Sequence, residues 1–245
     1  MSDRIKILGV PVDMVNYAEA WERFKKFIEK DGVSLIVTPN SEIVVNAGKN
    51  PDLMSAIEQA EMVIPDGIGL VYASKILKHP LEERVTGIDF LGKSLDYLSK
   101  NGKTIFLFGS KPGIAAKAAE KMEETYPGLK VVGTRNGYFK PEEEEEILAE
   151  INNAAPDLLC VALGSPKQEL FVLKYKDRLK TKAAIGVGGS LDVWSGELKR
   201  APEFYRKHGL EWLYRFIQEP SRYKRMAALP LFMLKVLFSD KSQTK

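Results

Sequence analysis

Six short apolar runs, each ending in Gly, Pro or Asn or in a polar turn, constrain this chain more than any other feature. SLIVTPN (34–40) leads into SEIVVNAGKN, and EMVIPDG (61–67) into IGLVYASKIL. TIFLFGSKPG (104–113) leads into IAAKAAEKMEETY, and LKVVGTRNGYF (129–139) into PEEEEEILAEINN. DLLCVALGSPKQ (157–168) leads into ELFVLKYKDRL, and AAIGVGGSLD (183–192) opens the last third. Runs that are apolar on both faces are strands buried inside a parallel sheet, and the helical patterns between them supply the crossovers that parallel pairing requires. The expected fold class is therefore α/β: a Rossmann-like, mainly parallel sheet flanked by helices.

The composition shifts near Gly196. From Leu198 to Phe238 the chain carries nine Lys or Arg against three Glu, a net of about +6 where the whole chain carries +3, so the preceding body is mildly acidic. Trp212, Tyr214, Phe216, Tyr223 and Phe232 are interleaved with these cations. The expected division is an α/β core over residues 1–196 and a basic, helical, aromatic appendage over residues 197–245. A basic segment carrying Trp and Phe suits an anionic partner and lies in a membrane interface. Arg215, Arg222 and Arg225, spaced seven and then three apart, share roughly one face of a helix at 3.6 residues per turn, with Pro220 interrupting it. No run reaches the ~20 apolar residues a spanning helix needs: AALPLFMLKVLF is too short and holds Pro230 and Lys235. The N-terminus has no signal-peptide pattern. The expected location is cytoplasmic, peripheral on the inner face of the cell membrane. An apolar face on the appendage (Leu213, Phe216, Ile217, Leu229) would need cover away from lipid, which a second copy of the chain would provide.

Ligands of parallel α/β sheets bind at the carboxyl ends of the strands, so the polar residues there are the site candidates. In Thr38-Pro39-Asn40-Ser41, Pro39 holds Thr38 extended, and Asn40 or Ser41 caps the next helix, whose free N–H groups form an anion site. In Ile64-Pro65-Asp66-Gly67, Asp66 is either an ordinary turn residue or a carboxylate base within reach of a substrate hydroxyl. Phe108-Gly109-Ser110-Lys111-Pro112-Gly113 resembles a phosphate-approach loop without matching a standard nucleotide fingerprint. Gln168 lies in the first turn of a helix, in a strand-end block grouped with Gly186-Val187-Gly188-Gly189; it is either a solvated helix residue or a side chain suited to a sugar hydroxyl or a base edge. Arg84 suits a phosphate or a surface acid. His79 and His208 are the only histidines and Cys160 the only cysteine, so a zinc site, a His-based triad and an internal disulfide are not expected. Five glutamates from Glu142 follow Pro141, a helix N-terminus by composition.

Taken in order, TPNSEIVVNA, IPDGIGL, ERVTGIDF, FLFGSKPG, ALGSPKQE, GVGGSLDVWSGELKRAP and GLEWLYRFIQEPSRYKR resemble the WecG/TagA/CpsF glycosyltransferase family, closest to its TagA branch, from about Ile7 to Phe238. The resemblance implies an inverting, metal-independent and cofactor-free transfer. N-acetylmannosamine would pass from UDP-ManNAc to the 4-hydroxyl of GlcNAc-diphospho-undecaprenol, in wall teichoic acid linkage-unit synthesis. It places the family's proposed base on Asp66 and pocket positions on Thr38, Asn40, Arg84 and Gln168. With a lipid diphosphate as acceptor, Arg215, Arg222 and Arg225 are also expected to bind substrate, the basic tail docking over the pocket. A family relative with another UDP-sugar donor, glucose or ManNAcA, satisfies the same motifs. A nucleic-acid-binding protein would use the basic tail, but no nucleic-acid motif accompanies it. A non-catalytic membrane scaffold would leave Asp66 idle.

Overall fold

All six expected strands are present and lie in one fully parallel sheet in the computed structural model, which describes residues 3–220, 223 and 228–239. They are β3 (Ser34–Val37), β4 (Met62–Val63), β5 (Thr104–Gly109), β6 (Lys130–Arg135), β7 (Leu158–Ala162) and β8 (Ala183–Gly186), in the order β4-β3-β8-β7-β5-β6. Each strand sends alternate side chains to opposite faces. Leu35, Val37, Phe106, Phe108, Leu159 and Val161 enter one core, while Ile36, Ile105, Leu107, Leu158 and Cys160 enter the other. Cys160 is fully buried, and burial pushes its thiol well above the usual range, as a structural residue requires.

Helices cover both faces. The first core is closed by α2 (Ser41–Ala47), α3 (Pro51–Glu58), α4 (Ile68–Ile76), α7 (Glu144–Ala154) and α8 (Lys167–Tyr175). The second is closed by α1 (Tyr17–Glu29), α5 (Gly87–Lys100), α6 (Ile114–Thr125) and α9 (Ser190–Trp194). Asn16 and Asn50 cap α1 and α3 through their side chains. The acidic run starts a helix as its composition demands, with Pro141–Glu143 as a 3-10 turn leading into α7.

One element was not foreseen. Strands β1 (Arg4–Ile7) and β2 (Val10–Asp13) form an antiparallel hairpin through Leu8 and Gly9, both at positive φ. Leu8 at φ 52° is unusual for an apolar residue, so the turn carries only half of its normal sequence signal. Asp13, wholly buried, fastens the hairpin: it accepts the Val63 N–H at 2.7 Å and pairs with Arg4 and Arg23.

Beyond residue 196 follow α10 (Glu203–Lys207), α11 (Glu211–Gln218) and α12 (Ala228–Phe238). Helix α12 packs against α2 and α4, with Phe232 and Val236 fully buried in the first core, while Leu234, Leu237 and Phe238 are exposed. Cutting the chain after Gly196 would therefore uncover part of the core as well as remove the basic segment. Of the three aligned arginines, Arg215 lies on α11; Arg222 and Arg225 fall outside the described residues. Among the described residues no helix is long and apolar enough to cross a membrane.

Candidate active site

The carboxyl ends of all six parallel strands open into one cleft of about 560 Å³. It takes in Thr38, Asn40, Asp66, Arg84, Gln168 and Arg215, six residues from five separate sequence blocks. Helix α11 and Leu229 of α12 form part of its wall, so the cleft spans the core and the C-terminal segment.

Asp66 follows β4 in a loop held at three points. Its N–H donates to the Pro39 carbonyl at 3.2 Å, Val85 N–H donates to the Pro65 carbonyl at 3.0 Å, and Gly87 N–H donates to Asp66 Oδ1 at 3.0 Å. Gly67 allows the tight approach: a Cβ there would lie 3.2 Å from Asn40 Cα. Gly87 is the first residue of α5, so the carboxylate sits at a helix N-terminus. Burial dominates nonetheless and pushes Asp66 up to about 6. The Gly87 N–H, Arg215 and Arg84 oppose the rise, and Glu211 adds to it. A carboxylate poised near neutrality, held rigidly and facing a cleft, is suited to accept a proton.

Thr38 and Gln168 are less free than their place in the sequence suggested. Thr38 Oγ1 donates to the Gly186 carbonyl at 3.1 Å, joining the ends of β3 and β8. Gln168 is only 4% exposed; its Oε1 accepts the Gly188 N–H at 3.2 Å, and its Nε2 donates to Glu169 Oε1 at 2.7 Å. Its amide is thus oriented from both sides and supports the Gly186–Gly189 loop. Burial pushes the Glu169 carboxyl up, against the hydrogen bond from Gln168. Asn40 caps α2 by accepting the Ile43 N–H at 3.1 Å, and its side chain still lines the cleft.

The opposite end of the cleft is built from the β5 and β6 loops. Gly109, at φ 129°, runs so close to β7 that a Cβ would lie 2.4 Å from the Ala162 carbonyl carbon. Ser110 then donates from its hydroxyl to Asp192 Oδ1 at 2.6 Å and accepts the Gly137 N–H on its carbonyl at 2.8 Å. Lys111 and Tyr138 line this end.

Among the described residues two ion pairs tie the C-terminal segment to the core, beside the packing of α12. Arg84 pairs with Glu211 at 3.2 Å, and Arg200 pairs with Asp89. Gly209, at φ 69°, rests on Ile68, where a Cβ would lie 2.8 Å from Cγ1. Glu211, Trp212 and Phe216 were not singled out as site residues; Glu211 is one of the three acids within the basic stretch, its only distinguishing mark in sequence. Among the described residues no three His, Cys, Asp or Glu side chains converge as metal ligands. The cations facing the cleft there are Arg84, Lys111 and Arg215.

The profile of the Glycosyl transferase WecG/TagA/CpsF family matches residues 5–245. A Bacillus subtilis (strain 168) protein is 36% identical over 219 residues, covering 89% of this chain and 85% of its own. A Bacillus spizizenii protein is 35% identical, with 89% and 84% covered. A Staphylococcus aureus (strain MRSA252) protein is 33% identical over 235 residues, with 95% and 92% covered. All three are named N-acetylglucosaminyldiphosphoundecaprenol N-acetyl-beta-D-mannosaminyltransferase.

Proposed function

The chain belongs to the WecG/TagA/CpsF glycosyl transferase family, and from that membership we propose that it transfers N-acetylmannosamine from UDP-ManNAc to the 4-hydroxyl of GlcNAc-diphospho-undecaprenol. The observation that carries the mechanism is the setting of Asp66: a carboxylate raised to about 6, fixed by the Gly87 N–H, with Arg84 and Arg215 acting on it across the same cleft.

In this reading the acceptor oxygen forms its bond to the anomeric carbon as the bond to the UDP oxygen breaks. Asp66 takes the hydroxyl proton, and UDP departs with the electron pair. A single displacement inverts the anomeric centre, and one carboxylate suffices because no covalent sugar–enzyme intermediate is formed. The hydroxyl is a poor nucleophile until its proton is removed, and the leaving diphosphate gains charge as it separates. Arg84, Lys111 and Arg215 are the described cleft cations available to meet that charge. Thr38, Asn40 and Gln168 would set the walls against which the sugars are oriented.

Residues 197–245 serve in this proposal as the part that faces lipid. Exposed Leu231, Leu234, Leu237 and Phe238 give α12 an apolar outer surface, and the segment's net charge favours an anionic membrane. The enzyme then works as a peripheral protein on the leaflet that holds its acceptor.

The deciding experiment measures UDP release from UDP-ManNAc with and without the lipid-linked GlcNAc acceptor, in wild type and Asp66→Asn. Acceptor-dependent release that falls steeply in the variant supports both reaction and base. Release from another UDP-sugar alone would replace the donor, and no release from any donor by a folded enzyme would overturn the transfer itself.

A further inference from the structure

The pairing of Arg84 with Glu211 has a consequence for how the cleft receives a diphosphate. Arg84 comes from the core, immediately before the Val85–Thr86–Gly87 stretch that holds Asp66; Glu211 is the first residue of α11. Their side chains meet at 3.2 Å, 16% and 22% exposed, inside the cleft wall. A guanidinium this sheltered needs an anionic partner, and in the described structure Glu211 supplies it. The wall is also not net basic among the described residues: Arg84, Lys111 and Arg215 face Glu42, Asp66, Asp192 and Glu211. A cleft meant for a diphosphate thus has acidic groups among its arginines, and one of those acids lies directly on Arg84.

We propose that Glu211 is a stand-in for the substrate diphosphate: it pairs with Arg84 and is displaced when a diphosphate enters. The inference rests on the diphosphate reading given above. A carboxylate and a phosphate oxygen compete for the same guanidinium N–H groups, so one must leave for the other to bind in bidentate fashion. Because Glu211 starts α11, its release also frees that helix from Arg84, while Gly209 on Ile68 and Arg200 on Asp89 still hold the segment to the core. Glu211 is then a positioning residue. It keeps Arg84 aimed into the cleft and makes weakly bound anions compete with a carboxylate for that guanidinium.

The test is binding of inorganic pyrophosphate and of UDP to the full chain by calorimetry, comparing wild type with Glu211→Gln, Arg84→Ala and the double variant. Removing the competing charge should tighten binding of both probes about three- to tenfold, and the gain should be at least halved in the Arg84→Ala background, because contacting residues are coupled. Weaker or unchanged binding by a folded Glu211→Gln would show that Glu211 is a strut and overturn the proposal. A gain undiminished without Arg84 would overturn it too, because the effect would not run through that pair. Failure of both proteins to bind pyrophosphate or UDP would likewise overturn it. The donor reading is judged separately, by turnover of UDP-ManNAc.

Discussion

Gly87 donates its backbone N–H to Asp66 Oδ1 at 3.0 Å, placing the carboxylate at the N-terminus of α5 while burial still holds it up to about 6. The helix end and two arginines stabilise the charge, and desolvation penalises it more. The result is a base that is ionised at neutral pH and weak enough to lose its proton again after each turnover.

Activity should therefore rise with pH through a midpoint near 6 in kcat/KM of wild type, and Asp66→Asn should lose that limb along with about 10²- to 10⁴-fold in kcat. KM should change little, since an amide of the same shape remains. A pH–rate profile on the lipid-linked acceptor reads both. An unchanged acid limb in the variant would take the base role away from Asp66.

The same substitution should stabilise the fold. Asp66 binds its proton more tightly folded than unfolded, so its favourable contribution is complete below the unfolded value of 3.8 and is lost as pH rises through about 6. At pH 7.5 the wild-type protein bears the full cost, at most about 3 kcal/mol from the size of the shift and nearer ~1–2 with solvent reaching the cleft. Asp66→Asn keeps an oxygen for the Gly87 N–H and carries no charge. Thermal melts at pH 7.5 should show a gain of several degrees, shrinking toward zero near pH 4.

Most of the architecture was legible because buried parallel strands have a plain signature: Leu35 to Val37 and Leu158 to Ala162 are apolar on both faces, and Pro or Gly ends the motif that follows each strand. The hairpin was not, because Leu8 occupies a turn position normally marked by Asn, Asp or Gly. The cleft's membership was legible for Thr38, Asn40, Asp66, Arg84, Gln168 and Arg215. What each side chain touches was not. No local pattern tells that Gln168 spends its amide on Gly188 and Glu169, or that Glu211 reaches Arg84 from 127 positions away. Those pairings depend on how loops from separate strands converge.

Gly186→Ala tests whether Gln168 needs its present orientation. A Cβ at 186 would lie 2.5 Å from Gln168 Nε2 and 3.0 Å from its Cδ, so the amide must turn and give up the Gly188 N–H or Glu169. Losing one such buried hydrogen bond costs about 1–3 kcal/mol. We expect a lower melting temperature, and kcat/KM reduced by about tenfold or more because the Gly186–Gly189 wall shifts. Full activity with the Gln168 network displaced would show that the amide only fills space.

The last prediction separates the two faces of α12. Phe232 is fully buried against α2 and α4, so Phe232→Ala should cost about 3–5 kcal/mol and lower the melting temperature by roughly 10 °C, with or without lipid. Phe238, 85% exposed, makes no comparable contribution to the core. Phe238→Ser combined with Leu234→Ser should leave the melting temperature within about 1–2 °C of wild type. If the outer face lies on lipid, the same double variant should lose most of its sedimentation with vesicles of anionic phospholipid, and turnover on vesicle-borne acceptor should fall with it. Retained vesicle binding would move the membrane contact away from α12, to the basic residues alone.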